Sequence, residues 1–204
     1  MRGVSDWLGW AIAVVVAIVI HEYAHARVAD ALGDPTPRAS GRMTLNPLHH
    51  VDWLGLLMLV VVRIGWAKPV PINPTYFRDR RSGVLLVSAA GPLSNFATAF
   101  VATILLKVIP PLSGLGFLRD LLWLLLQFSV IFGVFNLLPI PPLDGSRILR
   151  LFLRGQAARL LWQYEGYGRY VIIILAFTGL LWTIISPIAD GVIRLFDVVT
   201  AFLG

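Results

Sequence analysis

Long apolar runs separated by short polar stretches set the pattern of this chain. The first covers residues 7–31: it is strongly apolar to Ile20, keeps a helical pattern to Ala31, and meets helix-stop chemistry at Gly33-Asp34-Pro35. Two further runs are long enough to span a bilayer, 83–109, interrupted by Gly91-Pro92, and 118–138, which ends in the proline-rich NLLPIPPLDG. A hydrocarbon core needs about 20 helical residues. The run at 53–64 falls short and is predicted as a re-entrant segment or a hairpin against the protein. Residues 149–161 are short and basic, as suits an interfacial helix; 170–185 reads as a fourth span, and 188–203 as a fifth or a surface helix. WAKPVPINPTYF, with prolines at 69, 71 and 74, is predicted extended. The expected fold is an all-α polytopic membrane protein, one domain over 1–204, without internal repeats. It has four to six transmembrane helices, with a short re-entrant or extended hairpin segment between the first and second long spans.

Composition supports that class. Of 204 residues, 57% are hydrophobic and only 14% charged, against about 25% charged in a soluble domain. The absence of Cys excludes disulfides and thiolate metal sites. A net charge of +6 raises nucleic acid as a partner, but the positives sit in loops flanking apolar runs, a topology signature, so no nucleic-acid partner is expected. If 53–64 does not cross, then 27–81 and 147–169 share one side and hold 13 of the 17 Lys and Arg residues. That side is then cytoplasmic, with the N-terminus outside and residues 21–25 near the cytoplasmic end of the first span. If it does cross, the charges nearly balance. Residues 8–26 also resemble a signal peptide with an A-x-A-like end. The helical pattern beyond it and the membrane-like remainder favour a retained first span.

The candidate chemistry starts where the first run turns polar, at His21-Glu22-Tyr23-Ala24-His25. Residues four apart share a helix face, so both imidazoles can converge on one tetrahedral ion. Glu22, about 100° around the helix, stands beside such an ion, where it can take a proton from water and pass it to a leaving amine. The plain alternative is two core histidines satisfied by neighbouring groups. Glu22 counts against it, since a charged side chain at bilayer depth costs on the order of 2.5–3.5 kcal/mol. Two histidines need a third ligand, and the acids at membrane depth beyond Glu22 are Asp144 and, less clearly, Asp190. Asp144 follows three helix-breaking prolines, and unwound backbone in a membrane is tolerated where it is buried in protein or lines a wet cavity. Its alternative role is to cap a helix over 145–153.

Together these motifs resemble the small site-2 protease-type intramembrane zinc metalloproteases over most of the chain. His21-Glu22-x-x-His25 is similar to that family's zinc and base motif, and Asn136 to Gly145 to its N-x-x-P-x-P-x-L-D-G motif. GRMTLNPLHHVD with AKPVPINP, and AGPLSN, agree in order. The resemblance implies one zinc held by His21, His25 and Asp144, with Glu22 as general base and acid. It sets Asn95 near the site, either binding substrate or the oxyanion or making an interhelical hydrogen bond. Asn136 is expected to bond backbone freed by the prolines. His50, which matches a family histidine, is a hydrogen-bonding loop residue, a supporting group or an alternative ligand; His49 is read with it.

The implied activity is intramembrane zinc endopeptidase, with transmembrane segments of membrane proteins as substrates and the bilayer as the other partner. The implied setting is a bacterial or archaeal cell membrane, with the active site nearer the cytoplasmic face. A helical substrate must unwind before attack, and the extended 67–76 stretch is a candidate edge for pairing with it. Two other readings fit the polar cluster, a metal or ion transporter and a catalytically idle scaffold that binds membrane helices. Transporters usually show paired broken helices in two repeats, and only 139–145 is strongly broken here.

Overall fold

The computed structural model describes residues 4–53, 55, 68–110 and 113–203, and every regular element among them is helical. The expected short segment at 53–64 lies almost wholly outside the described residues. Three helices carry the chain's bulk: α1 (Val4–Ala31), α3 (Arg80–Val108) and α4 (Gly116–Asn136). Each is long and apolar enough to cross a membrane, and a bent pair, Gly155–Phe177 with Leu180–Val199 at 82°, passes the same test as one broken span. Among the described residues this gives three spans, or four with the bent pair counted as one, and four is the lower edge of the expectation. α2 (Thr36–Ala39) lies between the first two, and α5 (Asp144–Phe152), α6 (Gly155–Gln163), α7 (Gly168–Phe177) and α8 (Leu180–Val199) follow α4.

Two boundaries differ from expectation. The predicted helix over 149–161 is two helices, parted at Leu153-Arg154. The predicted span over 170–185 breaks at Thr178-Gly179, where Gly179 has φ +75°; residues 180–199 then continue as one helix instead of restarting at 188. Left-handed backbone falls most readily to glycine, and a hydropathy pattern carries no sign of it.

α3 packs along both α1 and α4, and those two also touch. The α1 surface explains how closely they approach. Ala13, Ala17, His21, His25 and Ala29 recur every four residues and are all buried, forming one i±4n ridge. Small side chains on such a ridge let helix backbones come near in a medium where apolar burial gives no net drive. On the far side, Ala99 and Ala102 of α3 join Leu126, Val130 and Val134 of α4 and Ile185 and Ala189 of α8 in the main cluster. Asp79 starts α3 by accepting from the Arg81 amide and the Ser82 hydroxyl, and these donors hold its carboxyl below the usual carboxylate range.

Candidate metal centre

The ridge carries His21 and His25 to the buried face of α1, one turn apart and facing α3. His25 sits six residues before the end of α1, about 9 Å along the axis. From the opposite side comes Asp144. α4 ends at Asn136, the prolines at 139, 141 and 142 prevent it from continuing, and α5 starts at Asp144 itself. A Cβ on Gly145 would run into the carbonyls of Leu137 and Leu138. Glycine there lets the start of α5 tuck under the end of α4, which fixes where Asp144 projects.

The three side chains meet. Asp144 Oδ2 is 3.3 Å from His21 Nε2 and 3.1 Å from His25 Nε2, and the two Nε2 atoms are 3.0 Å apart. All three residues are buried. Among the described residues, this is the only group of three or more His or acidic side chains close enough to share an ion. The capping alternative for Asp144 does not hold, because Leu143 is the N-cap and no side chain caps α5.

The other ring nitrogens define the state of these atoms. His21 Nδ1 lies 2.6 Å from Asn95 Oδ1, and His25 Nδ1 lies 2.7 Å from the Val87 carbonyl. Both partners are acceptors, so each Nδ1 carries the proton and donates, and each neutral ring turns a lone pair inward from Nε2. Asp144 Oδ2 has no hydrogen-bond partner. Three buried acceptors therefore face one another without a donor, an arrangement that is repulsive unless a cation lies among them. Their separations suit zinc: ligand distances of about 2.0–2.1 Å in a tetrahedron set donor–donor edges of roughly 3.3 Å. Two imidazoles and a carboxylate are also the donor types of catalytic zinc sites that keep a fourth position open.

α3 supplies the walls. Gly91 is the point of closest approach: a Cβ there would stand 2.5 Å from His21 Cε1 and His25 Nε2. Pro92 removes the amide that would bond Ser88 O, loosening the helical ladder next to Val87, whose carbonyl holds His25. Asn95 is fully buried, accepting from His21 and donating to the Ala17 carbonyl at 3.0 Å. Its oxygen and one amide hydrogen are thus committed between α1 and α3. That geometry is the interhelical hydrogen bond, with the ring of His21 as its object, and not a group exposed to substrate. Phe132 of α4 closes over His21 edge-on, with ring centroids 5.1 Å apart.

Glu22 is half-buried, and its Oε2 accepts from the Val70 amide at 3.0 Å. Val70 belongs to the irregular stretch 68–73, pinned at its ends by Lys68 N to His50 O and Asn73 N to Asp34 Oδ2. Asp34 is fully buried, and its other oxygen accepts from the Thr36 amide. Sequence reasoning took it only as part of a helix stop; a carboxylate between a helix-ending Gly and a Pro was the available signal. The same bonds narrow the idea of a pairing edge. Pro69 and Pro71 have no N–H, and Val70 and Asn73 are committed inward, so among the described residues only the Ile72 amide between 69 and 73 has no partner. The stretch offers carbonyls more than donors.

The remaining candidates stand apart. His50 is buried in the 44–50 turn with Nε2 donating to the Thr44 carbonyl at 2.8 Å, and its neighbour His49 accepts from Arg42 through its carbonyl. His50 is outside the three-residue cluster. Asn136 donates back to Phe132 O, four residues earlier in its own helix.

Residues 111–179 match peptidase family M50. The chain is 36% identical over 201 residues to "Putative zinc metalloprotease YwhC" of Bacillus subtilis, covering 92% of this chain and 90% of that one. It is 31% identical to a protein of the same description, Rip2 of Mycolicibacterium smegmatis, covering 83% of this chain and 65% of the relative. For another, MJ0611 of Methanocaldococcus jannaschii, the figures are 31% and 68% of each chain. No solved structure matches. The chain belongs to peptidase family M50, the zinc metalloproteases of site-2 protease type.

Proposed function

We propose that this protein is an intramembrane zinc endopeptidase that cleaves peptide bonds within or near transmembrane segments of other membrane proteins. The observation that carries the reading is the meeting of three buried acceptors, His21 Nε2, His25 Nε2 and Asp144 Oδ2, with no donor among them. These residues would hold one zinc per chain. When bound, zinc supplies Lewis acidity, polarising a scissile carbonyl and lowering the pKa of water to about 7.

The chain's own residues do the rest. Asn95 and the Val87 carbonyl fix the two rings in the tautomer that leaves Nε2 free, a role that outer partners of ligating histidines commonly fill. Glu22 takes the proton of the attacking water and returns it to the leaving amine. The Val70 amide holds one Glu22 oxygen, orienting the carboxylate and leaving the other for the proton. Phe132 and the small-residue ridge exclude lipid from the site. The substrate is unwound where it meets residues 68–73, donating its own amides to carbonyls there.

The site lies nearer the cytoplasmic face of a bacterial or archaeal cell membrane. Its short distance from the loop after α1, which carries Arg38 and Arg42, gives water a short path.

The test is to purify the protein, measure zinc per chain, and compare it with Glu22→Gln on single-span substrates. One zinc in both and a fall in cleavage of about 10²–10⁴-fold in the variant are expected. A wild type that moves ions across vesicles and cuts nothing, or activity unaffected by loss of metal, would overturn the reading.

A further inference from the structure

A cavity opens beside the metal centre, and it is strongly basic. It has a volume of about 510 Å³, and four arginines line it: Arg80 and Arg81 from the start of α3, and Arg147 and Arg150 from α5. Among the described residues, the one acid on its wall is Glu165. Its remaining lining is mostly apolar and includes Val70 and Val87. These two residues tie the cavity to the site, because Val70 N holds Glu22 and Val87 O holds His25. Arg147 stands three residues after Asp144 in α5, less than one helical turn on. A chain leaving the metal centre along residues 70–74 enters this cavity.

The arginines are not all committed. Arg81 donates to the Leu151 carbonyl and Arg150 to Glu165, at 2.5 Å each. Arg80 and Arg147 have no hydrogen-bond or ion-pair partner among the described residues. The Arg150–Glu165 pair sets one carboxylate at the exposed rim of the cavity, and a guanidinium fork binds such a group in two-pronged fashion. Anchoring to lipid headgroups is the usual use of arginines at a membrane edge. Here Arg80, Arg81 and Arg147 stand exposed around a pocket that is also lined by Val70 and Val87, the residues that hold Glu22 and His25.

We infer that this arginine-lined cavity is a specificity subsite that takes an acidic side chain of the polypeptide substrate. The acid would lie within about four residues of the cleaved bond, at roughly 3.3 Å of extended chain per residue. The inference rests on the peptidase reading, and it names the class of substrate that reading leaves open: membrane segments flanked by Asp or Glu on the arginine-rich side.

The experiment uses the full-length zinc-loaded protein in phosphatidylcholine vesicles, with single-span peptides carrying Glu, Gln or Lys at the flanking positions. Wild type should cleave the Glu peptide with a kcat/KM on the order of tenfold above the Gln peptide, mostly through KM. Arg80→Gln with Arg147→Gln should bring that ratio to about one. Arg147→Glu should raise cleavage of the Lys peptide above that of the Glu peptide, a gain that misfolding cannot produce. The same peptides are bound to Glu22→Gln protein, so that charge preference is read without turnover. A binding preference for Glu without any cleavage by wild type would sink the peptidase reading and leave the subsite standing. Cleavage with equal rates on all three peptides would sink the subsite alone. In a second series the vesicles contain increasing phosphatidylglycerol, and rates that follow this anionic fraction regardless of peptide charge would assign the arginines to the membrane and overturn the inference.

Discussion

Helices α3 and α8 look alike in sequence: both are long and apolar, and both carry an internal proline and a nearby glycine. Their surroundings are opposite. α3 buries nine residues, of which only Val87 is a large aliphatic; the others are Gly, Ala, Ser, Thr, Asn and Pro. α8 buries Ile185 and Ala189 alone, while Trp182, Leu195 and Val198 stand more than half exposed. In water, such a surface would be an aggregation hazard. Against acyl chains it costs little, since lipid tails are as apolar as Leu. The two helices divide the work: on α3, small and polar groups face inward where backbones must approach and hold a site, and on α8 bulky apolar groups face mostly outward.

The sharpest way to break that comparison is one added methyl on each helix. Gly91→Ala would place a Cβ 2.5 Å from both histidine rings, with α1 and α3 too tightly packed to yield. Zinc per chain should fall far below that of wild type and activity with it, and stability should drop by about 1–3 kcal/mol from overpacking. Gly191→Ala in α8 meets nothing within 4 Å. It should keep zinc and activity and gain up to about 1 kcal/mol through helix propensity. Metal analysis and thermal unfolding in detergent read both. Equal outcomes would mean that burial does not distinguish the helices.

Polar side chains sharpen the contrast at smaller amplitude. Asn95→Ala leaves the His21 Nδ1 proton and the Ala17 carbonyl without their partners. Loss of such an outer partner costs about 10–100-fold in metal affinity. Zinc competition with a chelator should show that shift, with little change in fold. On α8, Thr183 bonds back to the Gly179 carbonyl from an exposed position. Thr183→Ala should leave zinc affinity unchanged and alter stability by no more than about 0.5 kcal/mol.

These pairs also show what could be read before any coordinates. The His21–His25 spacing fixes a shared helix face by geometry alone, and the prolines at 139–142 announce where a new helix must begin. The spans at 83–109 and 118–138 were legible to within a few residues, because long apolar runs have little choice in a bilayer. The partner of Asn95 was not legible: His21 is 74 positions away, and no local rule links them. Nor was the committed side of residues 68–73. Prolines predict extension, but the carboxylates that hold Val70 and Asn73 arrive from α1 and from the turn after it. Gly91 looked like a helix interruption, and only packing reveals it as clearance for two imidazoles.

The smallest test concerns how the two helices begin. α3 opens on Asp79, whose carboxylate accepts from the Arg81 amide; α8 opens on Gly179, with no side-chain cap. Because those donors lower the Asp79 pKa in the folded chain, its charge-linked contribution to stability is complete above the ordinary value of 3.8 and fades as pH falls through the depressed one. Asp79→Asn keeps a capping oxygen and removes the charge. Amide-exchange protection in the first turn of α3 should therefore exceed that of the variant at neutral pH, and the difference should close in acid. The first turn of α8, with no titrating cap, should show no such pH-dependent loss. A gap between wild type and variant that persists well below the folded pKa would mean that shape, and not charge, secures the start of the site helix.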